Sequence, residues 1–320
     1  MEFTDPVPDT ARPEGPDGAL RLFVFPHAGG SSLTFRHWPG RFPAHWQIRP
    51  LDAPGHGPLL DSALITDGDA LVDYFLHRLG PEPRRPQPPF AFFGHSMGAL
   101  VAYELTRRLL DQGRTPPVWL GLSACAAPPP ADPTTPRPGR TPAPSPDRAA
   151  APAADPAADP AADPATAPAA DRATDPAADR GAGRGELSGA GLSDAELRTT
   201  ISLLGGTPAQ ILTDPGLWEV FAPAIRADLH LIRTWRPAPA TALLPVPMSA
   251  FAGAQDAAAL PGQLAPWAGH TEHFLGLHVF DGGHFYFQDD PGPLTGRVTA
   301  DLHTALRTRH LPPNARRAAR

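Results

Sequence analysis

Residues 94–98 read Gly94-His95-Ser96-Met97-Gly98. An apolar run, Phe90 to Phe93, enters this pentapeptide. The stretch that leaves it, Ala99 to Leu110, has the apolar spacing of a helix. A serine between two glycines, with a strand before it and a helix after it, belongs to a turn so tight that side chains on the flanking residues would strike neighbouring backbone. Such a turn exposes the Ser96 hydroxyl. It also puts the Met97 amide at a helix N-terminus, where N–H groups face a developing negative charge.

The rest of the chain supplies the setting this turn needs. Leu20 to Phe25 is a short apolar run stopped by Pro26, and Trp46 to Leu51 is a second, ended by Asp52-Ala53-Pro54-Gly55-His56-Gly57. Asp69 to Leu79 has helical spacing, with Leu71, Val72, Phe75, Leu76 and Leu79 on one face. Further strands are predicted at Val118 to Leu122, Val246 to Phe251 and Leu275 to Phe280, and a closing helix at Val298 to Leu306. Strands alternating with helices predict a mostly parallel sheet covered on both faces. Leu192 to Trp235 reads as helices between the two sheet-forming parts, a cap over the sheet edge. It opens on a capping box, Ser193 with Glu196, and its first helix is expected to end at Gly205-Gly206.

One segment interrupts the pattern. The 45 prolines of the chain are well above the ordinary level of about 5%, and many lie between Pro128 and Glu186. That segment contains no Val, Ile, Leu, Met, Phe, Trp, Tyr or Cys, and Ala-Ala-Asp-Pro occurs there three times without a gap, from Ala153 to Pro164. A stretch without large apolar side chains cannot offset its ordering entropy. The expected organisation is a disordered arm at 1–18, a core formed by 19–127 and 237–310, a disordered insertion at 128–186, a helical lid at 187–236 and a disordered tail at 311–320.

A serine nucleophile needs a base, and the base needs an orienting acid. Of the 13 histidines, His284 follows the last predicted strand in a glycine setting, Phe280-Asp281-Gly282-Gly283-His284, whereas the other twelve read as surface or packing residues and His95, His270, His273 and His278 lack this setting. The glycines let a loop carry the imidazole over the sheet edge. The acid is expected after the preceding strand, where Asp256 stands in Phe251-Ala252-Gly253-Ala254-Gln255-Asp256. Asp281 is a poorer choice because three residues across a glycine turn do not reach the far ring nitrogen. Asp228 falls among the cap helices. Pro26-His27-Ala28-Gly29-Gly30 follows the first strand and can supply a second amide for an oxyanion, that of Ala28, beside Met97.

Taken together these pieces resemble a type II thioesterase, the free-standing editing hydrolase of polyketide and nonribosomal peptide synthetases. The resemblance rests on Leu22 to Gly30, Leu51 to Gly57, Phe93 to Ala99, Leu203 to Pro208, Ile225 to Asp228, Gly253 to Asp256 and Gly282 to Phe285, in that order along the chain. It implies the α/β-hydrolase fold. It also implies hydrolysis of acyl groups from the phosphopantetheine arm of an acyl or peptidyl carrier protein. Ser96, Asp256 and His284 would form the triad, the Ala28 and Met97 amides the oxyanion hole, and Leu192 to Trp235 the lid. No cofactor or metal is expected. Two departures stand out: the long insertion just before the lid, and the alanine run Ala257-Ala258-Ala259 after the expected acid.

Three other readings stay open. A carboxylesterase for small oxygen esters would use the same triad. A non-catalytic scaffold that binds a synthetase would need none of it. A terminal thioesterase domain cut from a synthetase is disfavoured by Met1 and the separate arm. The net charge of −6 and pI near 6.1 give no basic face for nucleic acid. Cys125 is the only cysteine, which excludes an internal disulfide and a cysteine metal cluster. The first residues lack the basic start and apolar run of a signal peptide, and no stretch has the length of a membrane span. A cytoplasmic monomer is the expectation.

Overall fold

The computed structural model describes residues 19–80, 88–128, 192–236 and 242–309. The expected arm, the expected tail and the insertion beyond Pro128 lie outside the described residues.

Six strands form one sheet: β1 (Leu20–Phe25), β2 (Trp46–Pro50), β3 (Phe90–His95), β4 (Leu120–Ser123), β5 (Met248–Gly253) and β6 (Phe274–Phe280). Their order is β2-β1-β3-β4-β5-β6, and every pairing is parallel. Among the described residues seven α-helices accompany them: α1 (Gly68–Arg78), α2 (Met97–Asp111), α3 (Asp194–Leu204), α4 (Ala209–Thr213), α5 (Pro215–Thr234), α6 (Pro261–Leu264) and α7 (Gly292–Arg309).

The strands read as unbroken apolar runs because both sheet faces are covered. Successive side chains point to opposite faces. Phe23, Phe25 and Phe92 join the core under α1, α2 and α5. Leu22, Val24, Ala91 and Phe93 join a second core with Phe35, Trp38, Phe42 and the α7 residues Leu294, Val298 and Leu302. A buried network ties α7 to this face: Ser249 donates to Asp301 at 2.6 Å, Trp119 donates to Ser249 at 3.1 Å, and His278 lies 3.2 Å from Asp301.

The strand order has a consequence for the site. The chain goes from β1 outward to β2, then crosses back past β1 to β3 and proceeds the other way. Crevices form at the carboxyl ends of strands where the winding reverses. Here that point lies between β1 and β3, so the turns holding Ala28 and Ser96 are neighbours by topology.

Sequence expectations for these elements differ from the structure by a few residues at their ends, except that the closing helix, expected at Val298 to Leu306, begins six residues earlier, at Gly292, and runs to Arg309. The α3 start has both halves of its box, with Glu196 N donating to Ser193 Oγ at 3.3 Å and Ser193 N to Glu196 Oε2 at 2.8 Å. The helix ends at Gly205, whose φ is +80°. Among the described residues no helix is long and apolar enough to cross a membrane.

Candidate active site

Ser96 sits between β3 and α2 with φ 55° and ψ −117°, a conformation a non-glycine residue adopts at a cost of about 1–3 kcal/mol. The flanking glycines make it possible. A Cβ on Gly94 would stand 2.1 Å from the Gly98 carbonyl oxygen, and one on Gly98 would stand 2.1 Å from that of Phe25. Ser96 N donates to Ser123 O at 2.8 Å, anchoring the turn to β4. Although Ser96 occupies the α2 N-cap, its side chain makes no capping bond. Met97, the first helical residue, carries an amide without an intrahelical partner.

His284 follows β6, and its Nδ1 lies 2.8 Å from Asp256 Oδ2, with both side chains buried. A carboxylate only accepts, so Nδ1 carries a proton, and in the neutral ring the lone pair is then on Nε2. The other carboxylate oxygen, Oδ1, accepts from Ala258 N at 2.9 Å and Ala259 N at 3.1 Å. The alanine run that looked out of place thus uses its backbone to hold Asp256. The β5 and β6 loops are fastened together: Gln255 N donates to Gly282 O at 2.9 Å and Gly282 N to Gln255 Oε1 at 2.6 Å. A Cβ on Gly253 would stand 2.2 Å from Gly283 O, so glycine there lets the loops approach. Asp281 is exposed and is absent from this contact.

Ser96, Ala28 and His284 line one small cavity of about 30 Å³. Ile201 and Leu204 of α3, Gly205, Thr207, and Ile225, Leu229 and Ile232 of α5 form its apolar roof. A wider cavity of about 350 Å³ adjoins it, sharing His27, Thr207 and Ile225 and opening past Arg36, His37 and Arg41. Among the described residues no group of three or more His, Cys, Asp or Glu side chains could hold a metal ion.

Two histidines, His27 in the cavity wall and His95 beside it, are kept neutral. Burial, reinforced by His284 and then His56, pushes His27 down to about 3. Burial, with His284 and His27, holds His95 well below the ordinary histidine value. His95 Nδ1 lies 2.9 Å from Ser123 Oγ, which lies 2.8 Å from the Tyr286 hydroxyl. Sequence reading missed this network and also missed Asp228. That carboxylate is 2% exposed, and its Oδ2 lies 2.6 Å from Gly29 N and 2.9 Å from His56 Nε2. Its one sequence signal was its place in Ile225-Arg226-Ala227-Asp228.

The family model described as Thioesterase domain matches residues 20–302. Linear gramicidin dehydrogenase LgrE of Brevibacillus parabrevis is 24% identical over 91% of this chain and 90% of its own length. Thioesterase PikA5 of Streptomyces venezuelae is 26% identical, over 86% and 78%. Among solved structures, the type II thioesterase BorB from the borrelidin biosynthetic cluster is similar with a TM-score of 0.63 and 27% identity, over 91% of this chain and 95% of that one. The parallel sheet with its flanking helices is the α/β-hydrolase fold.

Proposed function

The chain belongs to the thioesterase family, and from that premise we propose that it hydrolyses acyl groups from the phosphopantetheine arm of carrier proteins in polyketide or nonribosomal peptide biosynthesis. PikA5 and BorB, both named as thioesterases, support this reading. The dehydrogenase name of LgrE is not carried over. β1 runs into Pro26-His27-Ala28-Gly29-Gly30 and not into the Gly-x-Gly-x-x-Gly turn of a dinucleotide site.

The observation that carries the mechanism is the bond between His284 Nδ1 and Asp256 Oδ2 at 2.8 Å, beside a serine with no capping duty in the same cavity. With Nδ1 protonated, His284 Nε2 takes the Ser96 proton as the hydroxyl attacks the thioester carbonyl. The Ala28 and Met97 amides receive the oxyanion, and the protonated imidazole gives its proton to the departing pantetheine thiol. Water, activated by the same Nε2, then attacks the acyl-serine and releases the acid. A cavity of about 30 Å³ is smaller than an acyl chain, so the acyl group enters by movement of the roof at α3 and α4 or extends into the adjoining cavity of about 350 Å³. The protein works as a cytoplasmic monomer.

The test is hydrolysis of acetyl- or propionyl-loaded carrier protein, followed by intact mass, with wild type beside Ser96→Ala and His284→Ala. The expected outcome is loss of the acyl mass with wild type and a rate lower by on the order of 10⁴ or more with either variant. Cleavage of small oxygen esters without carrier turnover would replace this reading with an esterase. Inactivity on both would replace it with a scaffold.

A further inference from the structure

Asp228 lies on α5, among the helices that roof the cavity, yet its carboxylate reaches through to the core. One oxygen, Oδ2, contacts the turn after β1 at Gly29 N and the turn after β2 at His56 Nε2. These partners are 199 and 172 residues away in sequence. The opposite nitrogen of His56, Nδ1, lies 3.0 Å from the Pro54 carbonyl oxygen. Carbonyl and carboxylate both only accept, so both ring nitrogens donate, and His56 is an imidazolium. Its affinity for protons is shifted accordingly. Burial works to lower it, but the hydrogen bond and charge of Asp228, helped by Pro54, raise it on balance. Asp228 and His56 form a buried, hydrogen-bonded ion pair, and truncating one member leaves the other without its partner.

The turn it touches is the one expected to supply an oxyanion donor. Gly30 N donates to His27 O at 2.9 Å, closing the turn, and Gly29 takes φ +71°. The α5 helix is moulded to that glycine: a Cβ there would stand 2.6 Å from Ile225 Cγ1. Ile225 and Asp228 are three residues apart and so share a helix face. One blocks the turn sterically while the other draws its Gly29 N–H inward. With Gly29 N committed to the carboxylate, the turn is held with Ala28 lining the cavity beside Ser96.

We propose that Asp228 is a positioning residue: through Gly29 it sets the Ala28 amide where the oxyanion forms, and through His56 it locks α5 to the core. The inference rests on the acyl-transfer reading above and concerns the oxyanion step alone. It further implies that opening of the roof belongs to α3 and α4, since the Asp228 segment of α5 is pinned.

The test compares Asp228→Ala with Asp228→Asn, using acyl-carrier turnover and the affinity of two inert ligands. One is an acyl trifluoromethyl ketone, which adds reversibly to the serine and forms an oxyanion. The other is a thioether analogue of the substrate, which forms none. The expected result for D228A is a kcat lower by about 30- to 100-fold, the scale of an ångström-level misplacement. KM stays within about threefold, ketone affinity falls in parallel and thioether affinity holds. D228N keeps an acceptor for Gly29 and recovers at least tenfold of the lost kcat. A purely structural role would lower the melting temperature and produce no split between the two ligands. A folded D228A with wild-type kcat, equal loss of both ligands, or D228N as poor as D228A overturns the proposal.

Should D228A fail to fold, Gly29→Ala attacks the turn from its other side. Selective loss of the ketone is again the expected result, and unchanged ketone affinity overturns the proposal. Were wild type to cleave only oxygen esters, the carrier reading would fail while the same comparison, run on esters, still decides the role of Asp228.

Discussion

Asp256 shows why a carboxylate, and not merely an acceptor, suits its position. Both oxygens accept: Oδ2 from His284, Oδ1 from the Ala258 and Ala259 amides. An asparagine has one acceptor oxygen. Two amides hold it at the Oδ1 place, which turns the side-chain NH₂ toward His284. The imidazole must then present a lone pair at Nδ1 and a proton at Nε2, the wrong tautomer for taking a proton from Ser96. Asp256→Asn is therefore expected to lower kcat by on the order of 10³–10⁴ with KM nearly unchanged. Steady-state turnover of an acyl-carrier substrate checks it; a fall of less than tenfold would remove Asp256 from the mechanism. The Asp256 and His284 positions were readable from strand-then-glycine context. The hold of the alanine amides was not, because a backbone donor leaves no residue signature.

Among the elements, the roof helices are joined to one another as well as to the core. Arg226 of α5 donates to the Leu192 carbonyl at 2.7 Å and also pairs with Asp194, the first residue of α3. On the other side of α3, the Arg198 guanidinium lies 4.2 Å from the centre of the Trp218 ring, and the same arginine donates to the Leu212 carbonyl of α4. Leu197 and Ile201 bury the inner α3 face, while Leu203 is 84% exposed. This is a narrow attachment, and loosening it should free α3 alone. Arg226→Ala is expected to speed amide exchange across Asp194–Leu204 by about tenfold while leaving β3 unchanged. Exchange monitored by mass spectrometry decides it, and uniform acceleration throughout the chain would refute a local role. The α3 helix itself was legible from its capping box and its glycine stop. Which helix it leans on was not, since apolar spacing identifies a face but not a partner.

At the scale of the molecule, buried ionisable groups make stability depend on pH in a definite direction. His27 is held down to about 3 by burial and by His284 and His56, and an unfolded histidine titrates near 6.5. As pH falls below about 6.5, the unfolded chain takes up a proton that the folded chain refuses until about 3, so stability drops through that window. The slope is about 1.4 kcal/mol per pH unit for one such group, and His95 acts in the same direction. Asp301 adds a later loss. Burial opposes its charge, but hydrogen bonds from His278, Arg297 and Ser249 prevail and hold its carboxyl low. Its contribution is present above the unfolded aspartate value and disappears as pH falls through the folded one. His56, raised, works the other way, its stabilisation being lost as pH rises through its folded value. Urea unfolding between pH 7 and 4.5 is expected to show falling midpoints on acidification, with a shallower slope in His27→Gln. A slope unchanged in that variant would contradict the assignment of His27 as neutral.

Sequence alone determined the elements and much of their order: β1 over Leu20–Phe25, the glycine-flanked turn at Ser96, and the placing of Asp256 and His284 after successive strands. Those are local properties. Side-chain periodicity, turn sterics and capping act over a few residues, so a few residues suffice to read them. Tertiary structure decided what meets what across the chain. Asp228 looked like one more acid on a cap helix, and only folding brings it to Gly29 and His56. His27 and His95 looked like ordinary histidines until burial removed their water. Contacts between distant segments, and the solvent each group loses, are set by how the helices pack on the two sheet faces. No short window of sequence contains that information.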